Sequence, residues 1–169
     1  MSWQRPNRFF RHLATDHGSV SRKFPKAVLA HIQAAIAAGE KRHRAQLRFA
    51  VEPALPLLRV LHGVAPRERA LEVFSLLRVW DTEENCGVLV YLLLADRGVE
   101  IVADRGIHGR VGSAVWEAVC RKMEAAFRAG RFDEGVESGI AEINALLESH
   151  YPRDGAAGAN ELSDEPIVL

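Results

Sequence analysis

The sequence predicts an α/β fold, a three-layer α/β/α sandwich around a small mixed β-sheet that contains a central β-hairpin. Residues 88–95 are apolar without interruption, which is the length of a strand and too short for a membrane span. An unbroken apolar run indicates a strand that is covered on both faces. Amphipathic helical patterns on either side of this run in the sequence are expected to supply the two covering layers.

The overall composition is that of a single globular domain. The chain has 169 residues, a hydrophobic fraction of 48% and a formal net charge of zero. Without a strong overall charge there is no general attraction to nucleic acid, so no nucleic-acid partner is expected. The sequence has no apolar segment of the signal-peptide or membrane-spanning type, and a cytoplasmic location is predicted.

The N-terminal segment, residues 1–20, is interpreted as amphipathic. Aromatic and aliphatic side chains alternate with arginines over residues 3–13, beginning at Trp3. Two interpretations of this pattern stay open: a lid that packs on the domain, or a helix in peripheral contact with a membrane surface.

A helix is predicted over residues 21–38. Ser21 is placed to cap it, Pro25 falls near the first turn, and Gly39 is placed to end it. Apolar residues recur at every fourth position and define the buried stripe: Phe24, Val28, Ile32 and Ile36.

Alternating polar and apolar residues predict a half-buried strand over residues 45–52. Residues 53–65 are expected to form a loop, or a loop around a short apolar turn at residues 57–61. A second helix is predicted from Pro66, where the missing N–H costs little, to Trp80.

The apolar strand is predicted to turn back on itself. Asp96-Arg97-Gly98 is typical of a tight turn in which Gly98 takes a positive φ. Residues 99–103 then form the return strand, and Gly106–Gly112 is expected to be a glycine-rich link.

Two further helices are predicted after this link, over residues 113–129 and from a cap at Asp133. Gly135 and Gly139 lie on one face of the last helix and would let a neighbouring element approach closely. Both tryptophans at helical core spacing, Trp80 and Trp116, and both cysteines, Cys86 and Cys120, are expected to be packing residues.

Residues 151–169 are interpreted as a flexible acidic tail, because glycine, proline and acidic residues recur through them. The basic N-terminal segment and this acidic tail could attract one another or each face a partner. The last three residues, 167–169, are apolar, and docking on the domain and recognition by a partner are both open.

Three stretches of the sequence carry a resemblance to a known family. They are NCGVLV at residues 85–90, DRGIHG at residues 104–109, and AFRAGRFDEGV at residues 126–136. On these stretches the chain resembles the TPM domain family over roughly residues 24–150, and residues 21–150 are interpreted as the TPM-like domain. The resemblance implies an α/β/α sandwich, phosphatase activity in some members, divalent-cation binding in others, and roles in maintaining membrane complexes in others. His108 stands where the family usually has glutamate, so a glutamate-dependent role would be altered here.

The predicted topology brings three distant polar segments to one edge of the sheet. Two parallel strands start there and the antiparallel return strand ends there. The candidate site residues are Glu40 and His43 before the first strand, Asp81, Glu83 and Glu84 before the second, and Asp104, Arg105 and His108 after the third.

Two chemistries fit these side chains. Ca²⁺ or Mg²⁺ would be held by carboxylate oxygens with one imidazole, from Glu40, His43, Asp81, Glu83, Glu84 and Asp104. A phosphatase would use Asp81 or Asp104 as nucleophile or base, Arg105 to hold the phosphate and His108 as acid. The plain alternative is a solvated acidic rim, and the sequence contains no phosphate-binding loop, nucleophile elbow or paired-histidine zinc motif.

The leading functional prediction is an accessory module that binds a protein partner, such as an envelope protein or a paralogue of its own family, and that responds to a divalent cation. The alternative is a weak, divalent-metal-dependent phosphatase acting on phosphomonoesters. The two are separated by assaying phosphomonoester hydrolysis with and without metal.

Overall fold

The structure is a computed structural model that describes residues 5–155 and 160–169, with side chains from residue 7 onward. Trp3 of the predicted amphipathic helix lies outside the described residues. The helices are α1 (Arg5–Ala14), α2 (His17–Lys23), α3 (Lys26–Glu40), α4 (Leu57–Leu61), α5 (Pro66–Leu76), α6 (Arg105–Val111), α7 (Ser113–Arg128) and α8 (Phe132–His150). The strands are β1 (Gln46–Glu52), β2 (Gly87–Leu93), β3 (Gly98–Ala103) and β4 (Ile167–Val168).

The four strands form one mixed sheet in the order β3-β2-β1-β4. β1 pairs parallel with β2, and β2 pairs antiparallel with β3. β4 adds parallel to the other side of β1. The predicted parallel pair and the predicted hairpin are therefore confirmed.

Each face of the sheet is covered by its own layer of helices, which confirms the predicted three-layer sandwich. Side chains of α2, α3, α6, α7 and α8 form one core with Phe49, Val90 and Ile101 of the sheet. Side chains of α1, α4, α5 and the C-terminal segment form a second core with Tyr91 and Val102. Every residue of β2 is buried, as its unbroken apolar run predicted.

The helix predicted over residues 21–38 is two helices. α2 ends at Lys23 and α3 begins at Lys26, with Pro25 at the N-cap. The cause is Pro25, which has no N–H and forces the preceding residue out of the helical region; Phe24 has φ −124° and ψ 69°.

β1 is buried along its whole length, whereas the alternation in sequence predicted a half-buried strand. The polar positions on its second face, Gln46, Arg48 and Glu52, are covered by the C-terminal segment and by α5. The alternation was real, but the covering C-terminal segment is itself polar, and its docking was only one of two open alternatives.

The hairpin turn differs from the prediction in the residue that takes the positive φ. Leu94–Asp96 forms a short 3₁₀ turn and Arg97 has φ 51°, whereas Gly98 begins β3. The 3₁₀ turn is closed by the Arg97 N–H, which donates to the carbonyl of Leu94 at 3.0 Å. The left-handed residue is therefore the one that ends this turn.

The predicted glycine-rich link, Gly106–Gly112, is largely the helix α6. Asp104 caps it by accepting a hydrogen bond from the Arg105 N–H at 2.6 Å. Ile107 and Val111, four residues apart, are its buried side chains. The burial of these two side chains offsets the low helix propensity of the glycines in this segment.

The two last helices pack closely, as the spacing of Gly135 and Gly139 predicted. A Cβ at Gly139 would collide with the Met123 side chain of α7, and one at Gly135 with Phe127. α8 begins at Phe132 rather than at a cap on Asp133, because Phe132 stacks on Phe127 with ring centroids 5.1 Å apart.

The expected packing residues divide into buried and exposed. Trp116 and Cys86 are buried and Cys120 is half-buried. Burial raises the pKa of the Cys120 thiol to about 12, so this thiol is unreactive at neutral pH. Trp80 is 48% exposed and lies beyond the end of α5, so its prediction as a packing residue is wrong.

Candidate functional site

The strand pairing places the three predicted polar segments at one edge of the sheet. Gln46 at the start of β1 pairs with Gly87 at the start of β2, and Val88 pairs with Ala103 at the end of β3. The segments before β2 and after β3 also touch, because the Gly106 N–H donates to the carbonyl of Asn85 at 3.2 Å. The edge inferred from topology therefore exists, and its chemistry depends on where each side chain points.

The two residues before β1 are engaged within the fold. The Glu40 carboxylate accepts a hydrogen bond from the Leu47 N–H at 2.7 Å. The His43 ring nitrogens lie 3.1 Å from the carbonyl oxygen of Ala45 and 3.1 Å from Oδ1 of Asn144. Burial lowers the pKa of His43. A metal ion could take this imidazole only by breaking one of the two contacts.

The three acids before β2 lie in segments with different contacts. Asp81 pairs with Arg78 at 2.5 Å on the surface. Glu84 makes a two-oxygen contact with Arg44, at 2.9 and 2.7 Å. The backbone N–H of Glu83 donates to Glu161 of the C-terminal segment at 2.8 Å.

The segment after β3 contains one carboxylate oxygen without a hydrogen-bond partner. Asp104 is 8% exposed; its Oδ1 caps α6, and its buried Oδ2 has no partner among the described residues. A buried polar atom without a partner is costly, so this oxygen has capacity left to bind a ligand. Arg105 and His108 are exposed.

Among residues 5–155 and 160–169, no group of three or more histidine, cysteine, aspartate or glutamate side chains is arranged to hold a metal ion. The structure therefore brings Glu84 and Asp104 to neighbouring segments and leaves Glu40, His43 and Asp81 in separate contacts. The predicted metal and catalytic residues stay a prediction.

A cavity with a mixed polar and apolar lining lies beside the edge strand β3. It has a volume of about 430 Å³ and is lined by residues of α5, β3, α6 and α7, including His108, Glu100, Trp116 and Cys120. The open side of β3 is satisfied within the fold, since Arg67 donates to the carbonyl of Ile101 at 2.6 Å and Glu124 accepts from the Val99 N–H at 3.2 Å. These caps close the β3 edge to strand addition.

The outer surface of the α1–α4–α5 layer is unusually apolar. Large side chains on it are exposed to solvent, namely Phe10, Leu13, Leu58, Leu61, Leu71, Leu76 and Trp80. α1 packs against α4, and Arg59 of α4 pairs with Glu72 of α5, so the exposed residues belong to one layer. We call this surface the outer apolar face. The signal in the sequence was the Leu-Leu-Arg-Val-Leu turn at residues 57–61, which has more leucines than one short helix can bury.

α1 is held on this layer by a partly buried ionic cluster around Asp96. The carboxylate of Asp96 lies 2.9 Å from Arg8, 3.3 Å from Arg11 and 3.2 Å from Nε2 of His12. Nδ1 of His12 accepts a hydrogen bond from the Leu55 N–H at 3.0 Å, so Nε2 carries the proton and faces Asp96. The structure thus places α1 on the domain, the first of the two interpretations of the N-terminal segment.

The C-terminal segment lies along the other edge of the sheet. Residues 160–169 run beside β1, and Ile167–Val168 forms β4. Arg48 in the middle of β1 donates to the carbonyl of Ser163. Of the two alternatives left open for residues 167–169, the structure shows docking. Sequence analysis missed Gln46 and Arg48, whose signal was two polar side chains on one face of a predicted strand in a chain with an acidic tail.

Comparisons with known proteins give a family and a fold. A family model described as the TPM domain matches residues 23–146. The solution structure of the BA42 protein from the psychrophilic bacterium Bizionia argentinensis is 24% identical, with a TM-score of 0.74 over 85% of this chain and 93% of that chain. The N-terminal domain of a P. gingivalis protein is 20% identical, with a TM-score of 0.56 over 72% of this chain and 76% of that chain. At these identities both likenesses show the fold alone.

No curated protein matches the sequence. Within the part of the chain that the structure describes, none of the helices combines the length and the apolarity that a membrane crossing requires.

Proposed function

Because the chain belongs to the TPM domain family, we propose that it acts as an accessory module that binds a protein partner through the outer apolar face and responds to a divalent cation near Asp104. The observation that carries the proposal is the concentration of exposed large apolar side chains on one layer. Leu58 is 69% exposed and Leu61 is 59% exposed, and both lie on the five-residue helix α4.

Exposed leucines of this kind favour association. Covering one such side chain contributes about 1.5–3 kcal/mol, so several exposed on one layer favour a binding surface. Arg11 and Arg97 line a shallow cavity beside α1, so the partner surface is expected to be apolar with an acidic rim.

Support for the cation is the buried Oδ2 of Asp104. A carboxylate oxygen is a hard ligand of the type that Ca²⁺ and Mg²⁺ prefer. Adding Ca²⁺ or Mg²⁺ should therefore raise the melting temperature of the wild type, and Asp104→Asn should abolish the shift. Asp81→Asn, at the exposed pair with Arg78, serves as the control and should keep it.

The alternative, a metal-dependent phosphatase, draws on the same oxygen and fits less well. A nucleophile at Asp81 would have to leave its contact with Arg78 on the surface. Turnover of a generic phosphomonoester in Mg²⁺, Ca²⁺ or Mn²⁺ that disappears in the Asp81→Asn, Asp104→Asn double variant would favour the enzyme over the binding module.

Protein binding is tested with Leu58→Asp, Leu61→Asp in the full chain. Partners are cross-linked to the wild type in cells, and the captured protein is then purified and titrated against each variant. We expect the double variant to bind at least tenfold more weakly, because two charges replace the apolar contact. Val115→Asp, an exposed apolar position on α7 in the opposite layer, is the matched control and should bind as the wild type does.

Equal binding by the wild type and the Leu58→Asp, Leu61→Asp variant would contradict the proposal. Co-sedimentation of the wild type, but not this variant, with anionic vesicles would assign the face to a membrane instead. Circular dichroism should show that the Leu58→Asp, Leu61→Asp and Val115→Asp variants are folded, since these substituted side chains are exposed.

A further inference from the structure

The edge of β1 opposite β2 is covered by the last ten residues of the chain. β1 is seven residues long, whereas β4 pairs with only two of them, Ala50 and Val51. The rest of the edge is covered by contacts between β1 side chains and the backbone of residues 160–166. The covering segment is therefore held without a continuous strand ladder.

Most of these contacts are hydrogen bonds to backbone groups of residues 160–169. Oε1 of Gln46 accepts hydrogen bonds from the Glu161 N–H at 2.8 Å and the Leu162 N–H at 2.9 Å. The Leu169 N–H donates to the carbonyl of Val51 at 2.9 Å. Any extended peptide could supply these groups, as in strand addition to a sheet edge.

Charge makes the edge selective. Arg48 is only 8% exposed, and the acids that face it are Asp164 and Glu165 of the tail and Glu40 of α3. A buried guanidinium is stabilised by facing oxygens, so a segment without acidic residues here would leave Arg48 with Glu40 as its one facing acid among the described residues.

Aliphatic side chains provide the remaining contacts. Leu162, Ile167 and Leu169 pack against the second core cluster and are half-buried, whereas Val168 points outward and is 41% exposed. The surface beside β1 thus accommodates aliphatic residues at the end of the segment.

The body of the fold ends before this segment begins. The Arg44 N–H donates to the carbonyl of Tyr151 at 2.9 Å, and the Arg153 N–H donates to the carbonyl of Arg42 at 3.0 Å. These bonds anchor the chain at residues 151–153, so residues 160–169 can leave the sheet edge without unravelling α8.

We infer that the β1 edge is a binding groove for an extended acidic peptide that ends in aliphatic residues, and that residues 160–169 occupy it in the intact chain as an exchangeable ligand. The partner is a protein segment of the same chemistry as the tail, and it binds when the tail is displaced. This groove is separate from the outer apolar face and goes beyond the proposed function.

The test uses the full chain with Ile167→Asp, which removes an apolar anchor of the tail and leaves the groove intact. A synthetic peptide of residues 160–169, labelled at its first residue, is titrated by fluorescence anisotropy. We expect it to bind Ile167→Asp at least tenfold more tightly than the wild type, in which the tail competes. Val168→Asp, one residue away and exposed, should behave as the wild type does.

Two further measurements tie binding to the groove. Adding Arg48→Met to Ile167→Asp should weaken peptide binding at least tenfold, and a peptide that itself carries Ile167→Asp should not bind. Should the Ile167→Asp chain not fold, Asp164→Lys with Glu165→Lys displaces the tail by repulsion from Arg48 and gives the same readout.

Equal peptide affinity for the wild type and the tail variants would overturn the inference. So would amide chemical shifts of residues 160–169 that stay unchanged in Ile167→Asp, since the tail would then be a fixed part of the sheet. The Leu58→Asp, Leu61→Asp variant should bind the peptide as the wild type does, which separates this groove from the outer apolar face.

Discussion

Gly87, the first residue of β2, lies against the backbone of the loop before it. A Cβ at this position would overlap the carbonyl oxygen of Val79, a backbone atom that cannot move aside without shifting the loop. We predict that Gly87→Ala lowers the free energy of unfolding by at least about 2 kcal/mol, as overpacking against a rigid neighbour does. Gly109→Ala, in α6, has nothing within 4 Å of the new Cβ and should be neutral or stabilising by up to about 1 kcal/mol. Urea denaturation of both variants measures the difference.

Asn144 connects several elements through its side-chain amide. From α8 it donates to the carbonyl of Ala35 in α3 at 3.0 Å, and its Oδ1 lies 3.1 Å from His43. Asn144→Ala leaves buried polar groups without partners, and we predict a loss of about 1–3 kcal/mol in unfolding free energy. Asn160→Ala, whose amide donates to Asp164 in an exposed contact, should change stability by less than about 0.5 kcal/mol. Equal effects in chemical denaturation would contradict this role.

Among the elements, α1 is attached to the domain through contacts with one residue outside it, Asp96. Burial alone raises the pKa of Asp96, but the hydrogen bonds from His12 and Arg8 outweigh it and lower the pKa to about 2. We predict that Asp96→Asn increases amide exchange across α1 and leaves exchange in β2 unchanged. Glu148→Gln, which removes an exposed ion pair with Arg42, should leave α1 protected. Slow exchange of α1 in Asp96→Asn would show that apolar packing alone holds the helix.

The same element should respond to acid in a defined direction. Because the pKa of Asp96 is lowered on folding, its contribution is present above the ordinary value of 3.8 and is lost as the pH falls towards 2. Protection of α1 should therefore fall between about pH 4 and pH 2, and the Asp96→Asn variant should lack this transition.

The elements that sequence predicted well are those whose pattern is set by their own residues. β2 follows from its unbroken apolar run, and α7 follows from apolar residues at every fourth position. The hairpin follows from the alternating apolar residues of the strand that returns beside β2. The break between α2 and α3 and the helix α6 were missed because single local effects decided them: the backbone restriction at Pro25 and the cap at Asp104.

Long-range contacts explain what could not be predicted at the candidate site. Topology gave the shared edge, because strand order fixes where strands begin and end. The direction of each side chain depended on partners far away in sequence, such as Asn144 for His43 and Arg44 for Glu84. Docking of residues 167–169 was left open, and the contact of the tail with Arg48 was missed, because the acidic composition of the tail is that of a solvated segment.

At the scale of the whole molecule, Glu40 joins α3, β1 and the tail. It is 7% exposed, and burial, together with the facing carboxylate of Asp164, raises its pKa to about 7 against the pull of the Leu47 N–H and Arg153. The folded chain therefore holds a proton that the unfolded chain releases near 4.5.

Stability should consequently fall as the pH rises through the window from 4.5 to about 7, where the folded state binds more protons than the unfolded state. The slope is at most about 1.4 kcal/mol per pH unit. Deprotonation of Glu40 also places its negative charge near that of Asp164 in the tail. Repulsion between them should make undocking of residues 160–169 easier over the same window. We predict that Glu40→Gln removes this pH dependence in urea unfolding measured at pH 5, 6, 7 and 8, while Glu148→Gln keeps it. A wild-type stability that is flat across these values would mean that Glu40 is ionised in the folded chain, with Arg48 and Arg153 compensating its charge.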